Sequence, residues 1–315
     1  MEQIKIATRE AYGNALAELA EQILNLVVLD ADLSKSTYTN KFEKKFPERF
    51  INVGIAEANL AATAAGLAAC GKVPFMSTFA VFASGRAYDQ IRNSIAYPGL
   101  NVKIGATHAG ITVGEDGGSH QSIEDIALMR AVPGMVVLSP VDGNETKEAV
   151  KAAINHKGPV YLRLGRLAVP QITDQIDDYK FEIGKSVQLA DGKDIAIIAT
   201  GLMVHEALKA RDLLEKEGIS ARIINMHTIK PIDQQAVINC AEQIGKIVTA
   251  EEHSIIGGLG EAVAGVTAKH YPCKIAMVGI QDTFGRSGKP ADLMKAYGLT
   301  AEDIVKAVRG LGGTQ

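Results

Sequence analysis

"NVGIAEANLAATAAGLAACGKVPFM" (52–76) reads as one helix followed by one strand. Residues 56–70 are mostly alanine and leucine, the strongest helix formers, without a proline. Val73–Met76 is a short apolar run of the kind that forms a buried strand. Between Asn52 and Gly71 the only charge is Glu57. A buried carboxylate is costly unless it is paired or protonated, and a carboxylate tuned in that way suits proton transfer. The plainer reading is that Glu57 sits in the first turn and favours the helix dipole.

Outward from this unit, strands and helices alternate. "LVVLD" (26–30), "NVKIG" (101–105), "MVVLS" (135–139) and "VYLRL" (160–164) read as buried strands, separated by helical stretches such as "TREAYGNALAELAEQIL" and "GNETKEAVKAAINH". Such alternation predicts a parallel sheet covered on both faces. The pattern lapses into a polar linker at 171–193 and resumes with "DIAIIAT", "SARIINM", "GKIVTAEE" and "CKIAMVGI". The expected architecture is α/β, with two doubly wound domains at 1–170 and 194–315.

Composition narrows the class. Of 315 residues 47% are hydrophobic and 22% charged, as in an ordinary globular protein, and a net charge of −3 offers no general attraction for nucleic acid or a membrane surface. Cys70, Cys240 and Cys273 are widely spaced and odd in number, which predicts neither a disulfide framework nor a metal cluster and fits a reducing cytoplasm. The N-terminal stretch has no apolar signal core, and no uncharged run reaches bilayer length.

Ligands of doubly wound sheets bind beyond the carboxyl ends of the strands. Asp30, Asp32, His108, Arg163 and Arg166 fall there in the first domain. "THAGITVGEDGGSHQSIED" (107–125) adds a glycine-rich loop carrying His108, Asp116 and His120, followed by a helix for which Ser122 and Asp125 form an expected capping pair. The reading is a polar ligand held by His108, Asp116 and His120, against a surface loop with turn-satisfying histidines; the spacing matches no common metal pattern. In "STFAVFASGRAYDQ" (77–90), Phe79 and Phe82 are expected three apart on one helical face, either as core or as a slot for a flat heterocycle.

Taken together, "VGIAEANLAATAAG", "STFAVFASGRAYDQIR", "THAGITVGEDGGSHQSIEDIALMRAVPGM", "SPVDGNET" and "YLRLGR" resemble the pyrimidine-binding half of transketolase, and the resemblance continues through the second domain. The Gly-Asp-Gly motif with which the family holds its metal is absent, so the chain resembles the C-terminal section of a split transketolase. The resemblance implies thiamine diphosphate as cofactor, with Mg2+ held by a separate N-terminal-section chain rather than by this one. It gives Glu57 the carboxylate that bonds the aminopyrimidine ring, Phe79 and Phe82 the pyrimidine slot, and Asp32 a place near the cofactor. A third aromatic common in the family is replaced by Gly85. His108, Asp116 and His120 would contact the sugar, His108 and His120 with a share in catalysis. Arg9, Ser36, His108 and Arg166 would grip its phosphate.

The implied reaction is transfer of a two-carbon ketol unit from xylulose 5-phosphate to ribose 5-phosphate or erythrose 4-phosphate, in the pentose phosphate pathway. The implied assembly holds two copies of each chain, with no role for nucleic acid or membrane. Competing readings are a deoxyxylulose-phosphate-synthase-like enzyme, the beta subunit of a 2-oxo acid dehydrogenase, and a non-catalytic binding subunit.

Overall fold

The computed structural model describes residues 4–312. In its first half the strands are β1 (Lys5–Ala7), β2 (Leu26–Asp30), β3 (Phe50–Asn52), β4 (Val73–Phe79), β5 (Lys103–Thr107), β6 (Val136–Leu138), β7 (Val160–Arg163) and β8 (Ala168–Pro170). They are followed by β9 (Val187–Ala190), β10 (Ile195–Ala199), β11 (Ala221–Asn225), β12 (Thr228–Lys230), β13 (Lys246–Ser254) and β14 (Lys274–Ile280).

Every residue of β2, β4, β5 and β7 is buried, as a sheet covered on both faces requires. These strands form the centre of a seven-stranded sheet in the order β12-β6-β7-β5-β4-β2-β3. Its register sets Met76 beside Ile104 and Ile104 beside Tyr161. The helix Glu57–Ala69 lays Leu60, Ala61, Ala64 and Ala65 on one face, joined by Ile91 and Ile95. Spacings of three and four residues put such side chains on one helical stripe. On the opposite face, Tyr12 and Leu16 of the helix Thr8–Leu19 meet Ala149, Val150 and Ala153 of the helix Gly143–Asn155.

The second sheet runs β14-β13-β10-β11-β9. The helices Met203–Lys216 and Ala301–Gly310 cover one face, and Gln234–Ile244 and Leu259–His270 the other. The chain is therefore α/β with two largely parallel sheets, as its alternation predicts.

Three features depart from the sequence reading. The stretch 171–193 is not free linker throughout, because β9 pairs antiparallel with β11 at the sheet edge. From the second half of the chain, β12 crosses back to pair antiparallel with β6, so the halves share a sheet. Finally, Ile111, Ile123 and Val141 from the first half pack into the core of the second. The junction between the halves is thus buried and contains an apolar core, which favours a fixed orientation over a hinge.

Candidate active site

The candidate site lies at the carboxyl ends of the parallel strands, where β4 delivers Phe79 and β5 leads into His108. Phe79 is the last residue of its strand, while Phe82 opens a π-helical turn, Phe82–Arg86. The two therefore do not share a helical face, contrary to the expectation from their spacing. Their rings nevertheless stack, with centroids 5.8 Å apart and planes 5° from parallel. A π-turn inserts an extra residue into the helical path and re-aims side chains, which is why such turns recur at functional sites.

Each end of the glycine-rich loop adds a histidine to these rings. His108 takes a left-handed backbone conformation (φ 56°) and lies over Phe79 at 3.8 Å between centroids. A non-glycine residue adopts that conformation at a cost that the surroundings must offset. His120 meets the ring of Phe82 edge-on at 5.5 Å and that of Phe79 at 6.3 Å.

Glu57 begins the helix beneath this slot and is 5% exposed. Arg86 donates to its Oε1 from 3.0 Å, and the same guanidinium sits 4.2 Å from the Phe82 ring centre. Arg86 is the cation the sequence reading missed, although it lies within the same quoted stretch. Only its position on the π-turn brings it over the ring and the carboxylate together. Gly85 beside it is exposed, and a Cβ built there would meet no atom within 4 Å, so this edge of the slot is open.

The opposite end is cationic. Arg9 donates to the backbone carbonyl of Ser36 at 2.8 Å and faces His108 Nε2 at 3.1 Å. Arginine can only donate, so His108 Nε2 must be the acceptor and its Nδ1 must carry the proton, directed to Thr107 Oγ1 at 3.0 Å. Burial, reinforced by the charges of Arg9, Arg166 and His120, pushes the His108 pKa down to about 3, leaving a neutral imidazole. Arg166 donates to the carbonyl of Val113 and lies 3.4 Å from Glu115.

The structure thus links Ser36, Arg9, His108, Phe79, Phe82, His120, Arg86 and Glu57 through consecutive contacts, with the charge of Arg166 bearing on both Arg9 and His108. Asp116 stands exposed at the end of the turn Ile111–Asp116. Asp32 lies just after β2, where its backbone N–H donates to Asn52 Oδ1 at 3.1 Å.

Two other strand-end residues are consumed structurally. Arg163 Nε donates to Asp125 Oδ2 at 2.9 Å, and both groups are buried. Asp125 also accepts from Tyr161, so it is not the partner of a cap; Ser122 Oγ has no hydrogen-bond partner. Asp30 accepts from Thr37 and Thr39 while burial raises its pKa to about 6. Among the described residues no group of three or more His, Cys, Asp or Glu could hold a metal ion, and no helix is long and apolar enough to cross a membrane.

A stacked aromatic pair thus stands between a buried carboxylate paired with Arg86 at one end and His108 with Arg9 at the other. Residues 4–171 match the transketolase pyrimidine-binding domain and residues 184–304 the transketolase C-terminal domain. The chain is 54% identical over 301 residues to a Methanocaldococcus jannaschii protein described as a transketolase C-terminal section, covering 95% of this chain and 94% of that one. It is 44% identical over 299 residues to the 6-deoxy-6-sulfo-D-fructose transketolase subunit of Clostridium sp. (strain MSTE9), covering 95% and 92%. A solved structure described as a split gene transketolase, inactive beta4 tetramer, superposes with a TM-score of 0.91 at 53% identity, covering 98% of this chain and 100% of that one.

The chain belongs to the transketolase family and corresponds to its C-terminal section. A pyrimidine-binding domain implies thiamine diphosphate, and a C-terminal section implies an N-terminal-section counterpart.

Proposed function

We propose that this chain, joined to an N-terminal-section partner, transfers a two-carbon ketol unit from a ketose phosphate such as xylulose 5-phosphate to ribose 5-phosphate or erythrose 4-phosphate. The observation that carries this reading is the continuity of the slot. Phe79 stacks with Phe82 near Glu57 and also contacts His108, which faces Arg9, so a cofactor end and a phosphate end meet on one ring.

When bound, thiamine diphosphate supplies the carbon nucleophile that this chain lacks. The residues present fit its aminopyrimidine end: Phe79 and Phe82 offer ring faces, and Glu57 offers a buried carboxylate paired with the half-exposed Arg86. Glu57 holds and moves a proton at the pyrimidine nitrogen it bonds. Arg86 pairs with that carboxylate and lies over Phe82, so it would compete with a bound pyrimidine for both. Asp32, held by Asn52, contributes from the rim.

Arg9 and Arg166 grip the phosphate, with the Ser36 segment orienting Arg9. His108, neutral and already accepting from Arg9, binds sugar and phosphate and shares in catalysis with His120. His120 and Asp116 meet the sugar hydroxyls, with His120 nearest the reacting centre because it leans on both rings. The sulfo-sugar named for the clostridial relative also carries an anionic end, which supports arginine recognition of the sugar's tail.

Mg2+ is held by the partner, and the working assembly contains two copies of each chain with the cofactor where they meet, in the cytoplasm. The solved relative's description as an inactive tetramer supports an inactive isolated chain. Ketol transfer from xylulose 5-phosphate to ribose 5-phosphate, assayed with thiamine diphosphate and Mg2+, tests this reading. Activity is expected only when the N-terminal-section chain is added. Activity in this chain alone, or none in a demonstrated complex, would overturn it.

A further inference from the structure

The stretch "EEHSIIGGLG" (251–260) takes no part in the site described above, yet its first three residues are buried charged or polar side chains at the carboxyl end of β13. That end is where a doubly wound sheet ordinarily receives a ligand. Here the first domain's own loop occupies it.

Each residue of the triplet has a separate task. Glu251 accepts the N–H groups of Leu259 and Gly260 at 2.6 and 2.8 Å, satisfying the start of its own following helix. Glu252 reaches out of the sheet and accepts the Thr112 N–H at 2.7 Å. His253 Nε2 accepts the Ala127 N–H at 3.3 Å, in the first turn of the helix Asp125–Ala131. Next in sequence, the Ser254 N–H donates to the Ile123 carbonyl at 2.8 Å.

These contacts bracket the loop that carries His108, Asp116 and His120. Gly110 donates from its N–H to the Ser122 carbonyl at 2.8 Å, closing the loop at its base. The Glu252 carboxyl lies so close to Gly110 that a Cβ there would fall 2.3 Å from it, at a backbone φ of +81°. Farther along, Gln121 donates to the Arg286 carbonyl at 3.0 Å, and Gly118 packs on the backbone of Gly285. A loop this rich in glycine is costly to order, and these contacts from the second domain supply the order.

We propose that the second domain acts as the holder of the substrate loop, with Glu252 as the positioning residue that fixes Gly110–Thr112 and, through them, His108, Asp116 and His120. The inference rests on the transketolase reading for its kinetic consequence, not for the contact itself.

The test uses Glu252→Ala, Glu252→Gln and Gly110→Ala in the two-chain complex, with hydrogen exchange measured alongside kinetics. In Glu252→Ala, amides of 109–122 should exchange on the order of tenfold faster, matching loss of one bond to a charged acceptor, while those of β10 and β13 hold. The KM for the ketose phosphate should rise on the order of tenfold, with cofactor affinity within about twofold of wild type. Glu252→Gln, which keeps an acceptor, should recover most of both effects, and Gly110→Ala should reproduce the Ala phenotype from the loop side.

Unchanged loop exchange would overturn the proposal, as would a loosened loop with wild-type KM and kcat. Exchange accelerated equally through the second sheet would show general loosening and overturn it too. If the wild-type complex transfers no ketol unit, the functional reading fails, and the exchange comparison alone decides whether Glu252 holds the loop.

Discussion

Glu57 and Arg86 show how a buried carboxylate is kept in a largely apolar helix start. The carboxylate is 5% exposed while the arginine side chain is 55% exposed, so one partner is buried and the other remains in water. Such a pair contributes little to folding, because solvent screens it from the arginine side. Arg86→Ala should therefore change the free energy of unfolding by less than about 1 kcal/mol, as read from urea denaturation. The same variant should bind thiamine diphosphate at least as tightly as wild type in the two-chain complex, since Arg86 competes for Glu57 and the face of Phe82. A tenfold loss of cofactor affinity would instead make Arg86 a ligand.

At the scale of elements, β2, β4, β5, β6, β7, β10, β11, β13 and β14 were legible because each is a run of apolar or β-branched residues bounded by turns. β1, β3, β8, β9 and β12 were not, because each is three or four residues long with no continuous buried apolar run to mark it. Asp125 misled for a different reason. Its position before an apolar helix suggests a cap, yet its partners, Arg163 and Tyr161, come from a strand more than thirty-five residues away. Phe79, Phe82, His108 and His120 could be picked out as residue types, but their meeting depends on a strand end, a π-turn and a left-handed residue that no local pattern announces. The buried Asp125–Arg163 pair can be tested directly. Asp125→Asn should cost on the order of 3–5 kcal/mol in urea unfolding, because it leaves the guanidinium buried without its counter-charge. A loss under about 1 kcal/mol would show that Arg163 is held by its carbonyl partners alone.

Across the whole molecule, the junction of the halves is fixed by an apolar core, a shared sheet and buried polar groups, among them His227. Its ring lies 4.2 Å from Phe181, its Nε2 has no partner, and burial lowers its pKa to about 4. Between that value and the ordinary value near 6.5 the unfolded chain binds a proton that the folded chain refuses. The associated stability is present above pH 6.5 and is lost as pH falls toward 4. Relative to His227→Gln, wild type should lose about 2 kcal/mol of stability between pH 7 and pH 5, measured as paired unfolding curves. Parallel pH profiles would show that His227 is charged in the fold. Buried His108 and His253, with pKa values lowered to about 3 and about 4, act in the same direction.

The central claim is that Glu57 tunes a bound thiamine diphosphate by handling a proton at its pyrimidine ring. The most direct measurement is the rate at which the proton on the thiazolium carbon exchanges with deuterium, followed by NMR after rapid quench, in the two-chain complex with wild-type chain and with Glu57→Ala. Exchange in the wild-type complex should exceed that in the variant by at least about 10²-fold, the usual contribution of a positioned acid–base group. Equal rates in two complexes that bind the cofactor equally would contradict the role assigned to Glu57.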